Sequence, residues 1–481
     1  MNTVAVVRRN SIFSFLAFGL RLVANAVLFI GIARFYGATA FGQFSLAHVY
    51  FSLMLYVADF GYDFYLATEI GRDVRFTEDL VRKVMPMKIL FSSLAVFLMV
   101  VFALLAQPAG ETRSLMIVLA IGIPANTLMT HAAAIFRGNQ DVLPEARIAF
   151  SQNALLLVFL VIIAILGLPL LAVAGVFVLS KVYGFVNLWR IARKRFPSLR
   201  WTFFPKDAQE VRALMGVGVN FGFNLLFGAL YFQLDTILLD HLKGQESVGL
   251  YQAVMKLTAL VLVLNEVAIA AVIPVLAQAF GIEAGRWAKI GKVVFKSLHL
   301  IGGFFGLLFF LCAKDILAFV YSKREFLQAA DVMRIFGVIL LVRFGMETYA
   351  MMLTTANKQR HRMVVVIFAT LVNLLANLLA IPRFGIIGAA WVSLGTNMLI
   401  ALIYFGLVSI HMGKWFPLID LGQVLIFVGF ILTAGIFLHC GITSLTIVLP
   451  FAIALTAVLT YVGFSKQEHE LVSMFLRLRT S

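Results

Sequence analysis

The stretch IAFSQNALLLVFLVIIAILGL, residues 148–168, is apolar almost throughout, and stretches like it recur from one end of the chain to the other. Each is about 20 residues long, enough to cross a hydrocarbon layer of about 30 Å as a helix. In lipid the backbone must satisfy its own hydrogen bonds, so such runs can be only helices or the strands of a closed barrel. They are too long and continuous for the alternating, roughly 10-residue strands of a barrel. With 62% hydrophobic and 13% charged residues, and a mean hydropathy of +0.98, the 481-residue chain has too few charges to be water-soluble. The expectation is an all-α polytopic membrane protein.

Counting runs predicts about fourteen transmembrane helices: 11–35, 41–66, 86–106, 114–136, 148–168, 171–190, 214–239, 249–276, 292–312, 329–353, 363–382, 388–410, 420–437 and 445–464. The net charge of +16 then reads as cytoplasmic loops rather than nucleic-acid binding, because most Lys and Arg fall on alternate connections. That bias predicts both termini in the cytoplasm. The arginines before the first run resemble a signal peptide, but no A-x-A-like cleavage site follows, so an uncleaved first helix is expected. Cys312 and Cys440 lack metal-like spacing, and a disulfide between them is conceivable only because both fall near helix ends on one membrane side.

A short phrase is written twice. ARFYGATAFGQFSLA (33–47) is echoed by DHLKGQESVGLYQAV (240–254), with Gly37 over Gly244, Gly42 over Gly249 and Phe44 over Tyr251. Asp59 falls on Glu266 at the same offset, and VAGVFVLS (173–180) resembles IIGAAWVS (386–393). Parallel repeats of this kind are a recurring plan in transporters, with the path between the halves. The expected domains are a six-helix lobe at 1–190, a basic cytoplasmic linker at 191–213, a second six-helix lobe at 214–410, and an extra helix pair with a tail at 411–481.

IARFYGATAFGQFSLA, DFGYDFYLATEIGRD (59–73) and YFQLDTILLDHLKGQESVGLYQAVMKL (231–257) resemble the polysaccharide-transporter branch, which includes O-antigen flippases, of the multidrug/oligosaccharidyl-lipid/polysaccharide (MOP) flippase superfamily. The resemblance implies two six-helix lobes in a V, a C-terminal helix pair, and a central cavity lined by helices 1, 2, 7 and 8.

No G-x-x-x-x-G-K-[ST] is present, so no ATPase is expected. There is no H-E-x-x-H, and His131, His299 and His439 stand alone. No extramembrane segment is long enough for a glycosyl polymerase, and no enzyme or cofactor is expected. What remains is the set of ionisable residues inside helices, which are costly in lipid and mark paths. Arg21, about ten residues into the first predicted helix, and Asn25 one turn later share a face. Lys256 lies about 10 Å into its helix from the periplasmic side. Lys181 is central in its helix. Arg334 and Arg343 are nine residues apart, on opposite faces, and Arg343 could pair with Glu347 one turn on. Asp59 and Asp63, Asp235 and Glu266 sit near helix ends, where they could gate the path or couple it to a proton or sodium gradient. Interfacial capping and salt bridges are their blander reading.

A sugar–diphosphate–polyprenol carries at least two negative charges and many hydroxyls, at prohibitive cost in lipid. A cavity with buried cations can pair with the diphosphate. The expectation is therefore a flippase for undecaprenyl-diphosphate-linked oligosaccharide units in the bacterial cytoplasmic membrane. Its partners would be the lipid-linked substrate, the bilayer, and a polysaccharide polymerase with chain-length proteins, and no nucleic acid. A lipid II flippase, a multidrug or cation antiporter, and a non-transporting scaffold are the alternatives.

Overall fold

The computed structural model of the chain describes residues 3–199, 202–205, 208–282, 284–412 and 419–470. Parts of the predicted linker (200, 201, 206, 207) and of the C-terminal segment (413–418, 471–481) lie outside them. The described residues contain helices and their connections, with no strand. In chain order the helices are α1 (Thr3–Tyr36), α2 (Ala38–Asp59), α3 (Tyr62–Arg72), α4 (Thr77–Ala106), α5 (Glu111–Gly138), α6 (Leu143–Leu166), α7 (Leu170–Arg195) and α8 (Ala208–Lys243). They continue with α9 (Gln245–Ile282), α10 (Ala284–Leu311), α11 (Ala313–Tyr321), α12 (Ala330–Thr355), α13 (Gln359–Met412), α14 (Leu421–His439) and α15 (Leu445–Gly463).

Twelve helical stretches among the described residues are long and apolar enough to cross a membrane. One of them, Gln359–His411, is two helices joined at Gly385, whose φ of 57° breaks the helical path. The remaining long helix, α12, carries Asp331, Arg334, Arg343 and Glu347 and packs against α10 and α13. Counted this way, the fourteen predicted spans are all present as helices.

The chain divides into two compact units, Met1–Asp240 and His241–Ser481. In the first, α5 packs against α2, α4 and α7, while α6 bridges α1 and α7. In the second, α12 packs between α10 and α13, and α14 and α15 lie against α10. The repeated glycine phrase forms the same kind of corner twice. Gly37 (φ 91°) joins α1 to α2, and Gly244 (φ 85°) joins α8 to α9. Both conformations are left-handed, which a residue without Cβ adopts at little cost.

Two predicted elements differ. The expected helix 41–66 breaks after Asp59, where Phe60 (φ 45°) and Gly61 (φ 82°) are left-handed. Phe60 is held there by stacking on Phe91 at 4.7 Å and by packing over Gly218 and Gly222 of α8, where any Cβ would collide with its ring. The expected loop after residue 312 contains the short helix α11 and a 3-10 turn, Arg324–Ala329. Cys312 is buried, Cys440 is exposed, and both are free, so the conceivable disulfide is not formed.

Candidate functional site

The break between α2 and α3 turns the chain so that Asp59 and Asp63 both face a cavity inside the first unit. Its volume is about 800 Å³, and its walls come from α1, α2, α3, α5, α6 and α7, with Leu225 of α8. Arg21, Asp59, Asp63, Arg137, Glu145 and Lys181 are its charged lining residues.

The charges are arranged in three groups. Glu145, in the first turn of α6, lies 3.8 Å from Arg21 and 3.3 Å from Arg137. Asp59 and Asp63 share the ammonium of Lys88, at 2.7 and 2.9 Å, and the Asp63 backbone N–H also donates to Asp59 Oδ1 at 3.1 Å. Lys88 is fully buried behind the cavity wall. His131, also fully buried, places Nδ1 3.4 Å from Asp63. Lys181 forms no ion pair among the described residues; its Nζ stands 4.9 Å from the centroid of the Phe177 ring. A cation over a ring face keeps its charge while gaining a modest attraction of about 0.5–2 kcal/mol. The cavity therefore has carboxylates that are already neutralised in part and, among the described residues, one ammonium that is not.

The other sequence-derived candidates lie elsewhere. Asn25 is exposed on α1 and is not among the cavity-lining residues. Arg334 pairs with Asp331 at 2.7 Å in the first turn of α12. Arg343 is half-buried on α12, Lys256 half-buried on α9, Glu266 exposed on α9, and Asp235 buried on α8. By contrast with the first unit's cavity, a hollow of about 390 Å³ between α10, α12 and α14 is lined by glycines and apolar side chains such as Leu307, Phe430 and Leu438.

A family model described as polysaccharide biosynthesis protein matches residues 7–280, more than half of the chain. The chain belongs to that family. A second model, MatE, matches residues 221–379 of this family member, which places the chain in the MOP superfamily of membrane transporters and flippases. Its fold is similar to that of a lipid II flippase, MurJ, in an inward closed conformation: TM-score 0.75 at 12% identity, covering 96% of this chain and 99% of that one. An inward-facing multidrug resistance MATE family transporter gives a TM-score of 0.66 at 16% identity, covering 83% and 98%. A MOP superfamily transporter from Pyrococcus furiosus Vc1 gives 0.60 at 17%, covering 85% and 95%. No curated protein matches the sequence.

Lys88 and a second buried lysine, Lys296, fall inside the predicted helices 86–106 and 292–312 but are not among the five basic residues singled out there as site candidates. Lys296 on α10 is bound to Asp420 at 2.8 Å, to Glu468 at 2.9 Å and to the carbonyl of Gly463 at 2.9 Å. The signal was available: each lysine interrupts an apolar run, MKILF and VFKSL. Each stands within five residues of the start of its predicted apolar run, where a lysine can also snorkel to the interface.

Proposed function

We propose that this polysaccharide biosynthesis family member flips undecaprenyl-diphosphate-linked oligosaccharide units, of the O-antigen or exopolysaccharide type, from the cytoplasmic to the periplasmic leaflet of a bacterial cytoplasmic membrane. Both termini would be cytoplasmic, and the cycle would be one of alternating access. The observation that carries the reading is the polar cavity in the first unit, where Arg21 and Lys181 line the same space and Lys181 has no carboxylate partner among the described residues. An anionic diphosphate supplies the missing countercharge, and charge-assisted bonds to it are the strong kind. The hydroxyls of the head group meet a wet, polar wall instead of hydrocarbon, while the polyprenyl tail needs no pore. The task requires no bond making, so no enzymatic step or cofactor enters. The delivered units would be the substrate of a periplasmic polymerase working with chain-length proteins.

Coupling to a proton or sodium gradient belongs to the same proposal. It is supported by Asp59 and Asp63 sharing a single lysine at the cavity wall, which leaves room for one more positive charge.

The test uses a strain whose only copy of this transporter is the variant. Arg21→Ala and Lys181→Met are expected to abolish surface polysaccharide while lipid-linked units accumulate on the cytoplasmic side. Full export by both variants would overturn the reading. A lipid II flippase would present the same head-group chemistry, and rescue of cells depleted of their lipid II flippase would decide for it.

A further inference from the structure

We infer that the cavity wall formed by α5, α6 and α7 is a sugar subsite for the residue bonded directly to the diphosphate; this rests on the flippase reading. Asn126, Thr127 and Thr130 of α5 occupy positions that fall on one side of the helix, and all three line the cavity. Thr127 is 2% exposed, and its Oγ1 has no hydrogen-bond partner among the described residues. A buried hydroxyl left this way is costly unless something binds it. Gln152 and Asn153 of α6 are also buried and line the same space. The Asn153 amide is already oriented, because Nδ2 donates to the Ala149 carbonyl at 2.7 Å.

The placement of Gln152 ties this wall to the cation. At Gly184 α7 offers only a hydrogen, and Gln152 and Met129 close over it so tightly that a Cβ there would collide with both. Lys181 is three residues earlier on α7, so its position is about 5 Å along the axis from the one Gln152 covers. In a sugar diphosphate, the ring hydroxyls and an acetamido group on the carbon beside the anomeric one stand a few bonds from the phosphorus. An ammonium and a carboxamide one helical turn apart match that spacing. The Gln152 Oε1 is the atom packed against Gly184, and its Nε2 can donate to the C=O of an acetamido group. Asp59 and Asp63 pair with Lys88 and not with Lys181, so they do not compete with the diphosphate for that ammonium.

The experiment measures binding of two probes to the full-length protein in nanodiscs: undecaprenyl diphosphate, and the same lipid bearing one N-acetylhexosamine. The wild type is expected to prefer the sugar-bearing lipid by about tenfold or more, the worth of one or two good hydrogen bonds. Gln152→Met combined with Thr127→Val should erase that preference, while affinity for the bare lipid stays within about twofold. Lys181→Met should weaken both probes together. Gly184→Ala, which keeps every polar group but displaces Gln152, should erase the preference as well, and affinity for the bare lipid retained in each variant separates recognition from a folding defect. If the preference survives in both the double variant and Gly184→Ala, the polar wall is helix-packing glue and the subsite is overturned. Failure of the wild type to bind either lipid would instead overturn the flippase reading, and the subsite with it.

Discussion

Lys88 has no exposed side-chain surface, yet it carries a charge that the carboxylates of Asp59 and Asp63 balance. Removing one partner of a buried ion pair leaves an uncompensated charge and costs about 3–5 kcal/mol, whereas removing the whole set can be neutral. Lys88→Met is therefore expected to lower the thermal midpoint of the purified protein sharply. Adding Asp59→Asn and Asp63→Asn to it should recover most of the loss, and an unrecovered triple variant would refute the pairing. At this scale the sequence pointed to Asp59 and Asp63 but not to their partner. Two acids near the end of an apolar run are conspicuous. A lysine eleven residues into its helix reads equally well as a snorkelling side chain until its neighbours are known.

Among the elements, α14 and α15 depend on one residue of α10. Lys296 reaches the residue that caps α14, the last carbonyl of α15 and the turn beyond it, with Lys292 adding a 2.7 Å contact to Asp420. Burial pushes the Asp420 carboxyl up, but hydrogen bonds from Lys292, Lys296 and the Gln423 N–H outweigh it and hold the group below its ordinary value. Glu468 is likewise raised by burial and lowered further by the Ser465 N–H and Lys296, with a net shift downward. A depressed carboxylate pKa contributes stability that is complete above the unfolded value, about 4, and is lost as pH falls through the folded value. The thermal midpoint should thus be flat from about pH 8 to 5 and fall below about 4, and a Lys296→Met, Asp420→Asn, Glu468→Gln variant should lose much of that slope. The break at Phe60 and Gly61 belongs to the same scale. The sequence had Gly61 in view, but the left-handed Phe60 exists because a ring of α4 and two glycines of α8 hold it.

For the whole molecule, Lys88 and Lys296 stand 208 residues apart, within one residue of the offset that relates the two glycine corners. Each unit therefore buries a lysine at the equivalent place. In the first unit the acids come from α2 and α3; in the second, Glu266, the counterpart of Asp59, is exposed and the acids come from beyond α13. The appended helix pair completes the second unit electrostatically as well as by apolar packing of Phe430, Phe437 and Val448. A chain stopped before Asp420 is expected to be poorly folded and to accumulate weakly in the membrane. Lys296→Met in that shortened chain should restore part of the yield, measured by fluorescence-detected size exclusion; no gain would mean that the lost apolar packing alone decides.

The sequence by itself determined the long apolar helices, the two glycine corners and the internal repeat, but not the break between α2 and α3 or the short helix α11. Apolar run length and left-handed glycine positions are local quantities, and the bilayer leaves the backbone few alternatives. Only the tertiary structure decided which charges meet. Helical periodicity fixes the direction of a side chain about its own axis, but not the helix it will face. Arg21 and Lys181 come to one cavity, Asn25 stays outside it, and Lys88 and Lys296 are drawn into the interior because carboxylates distant in sequence arrive there to neutralise them.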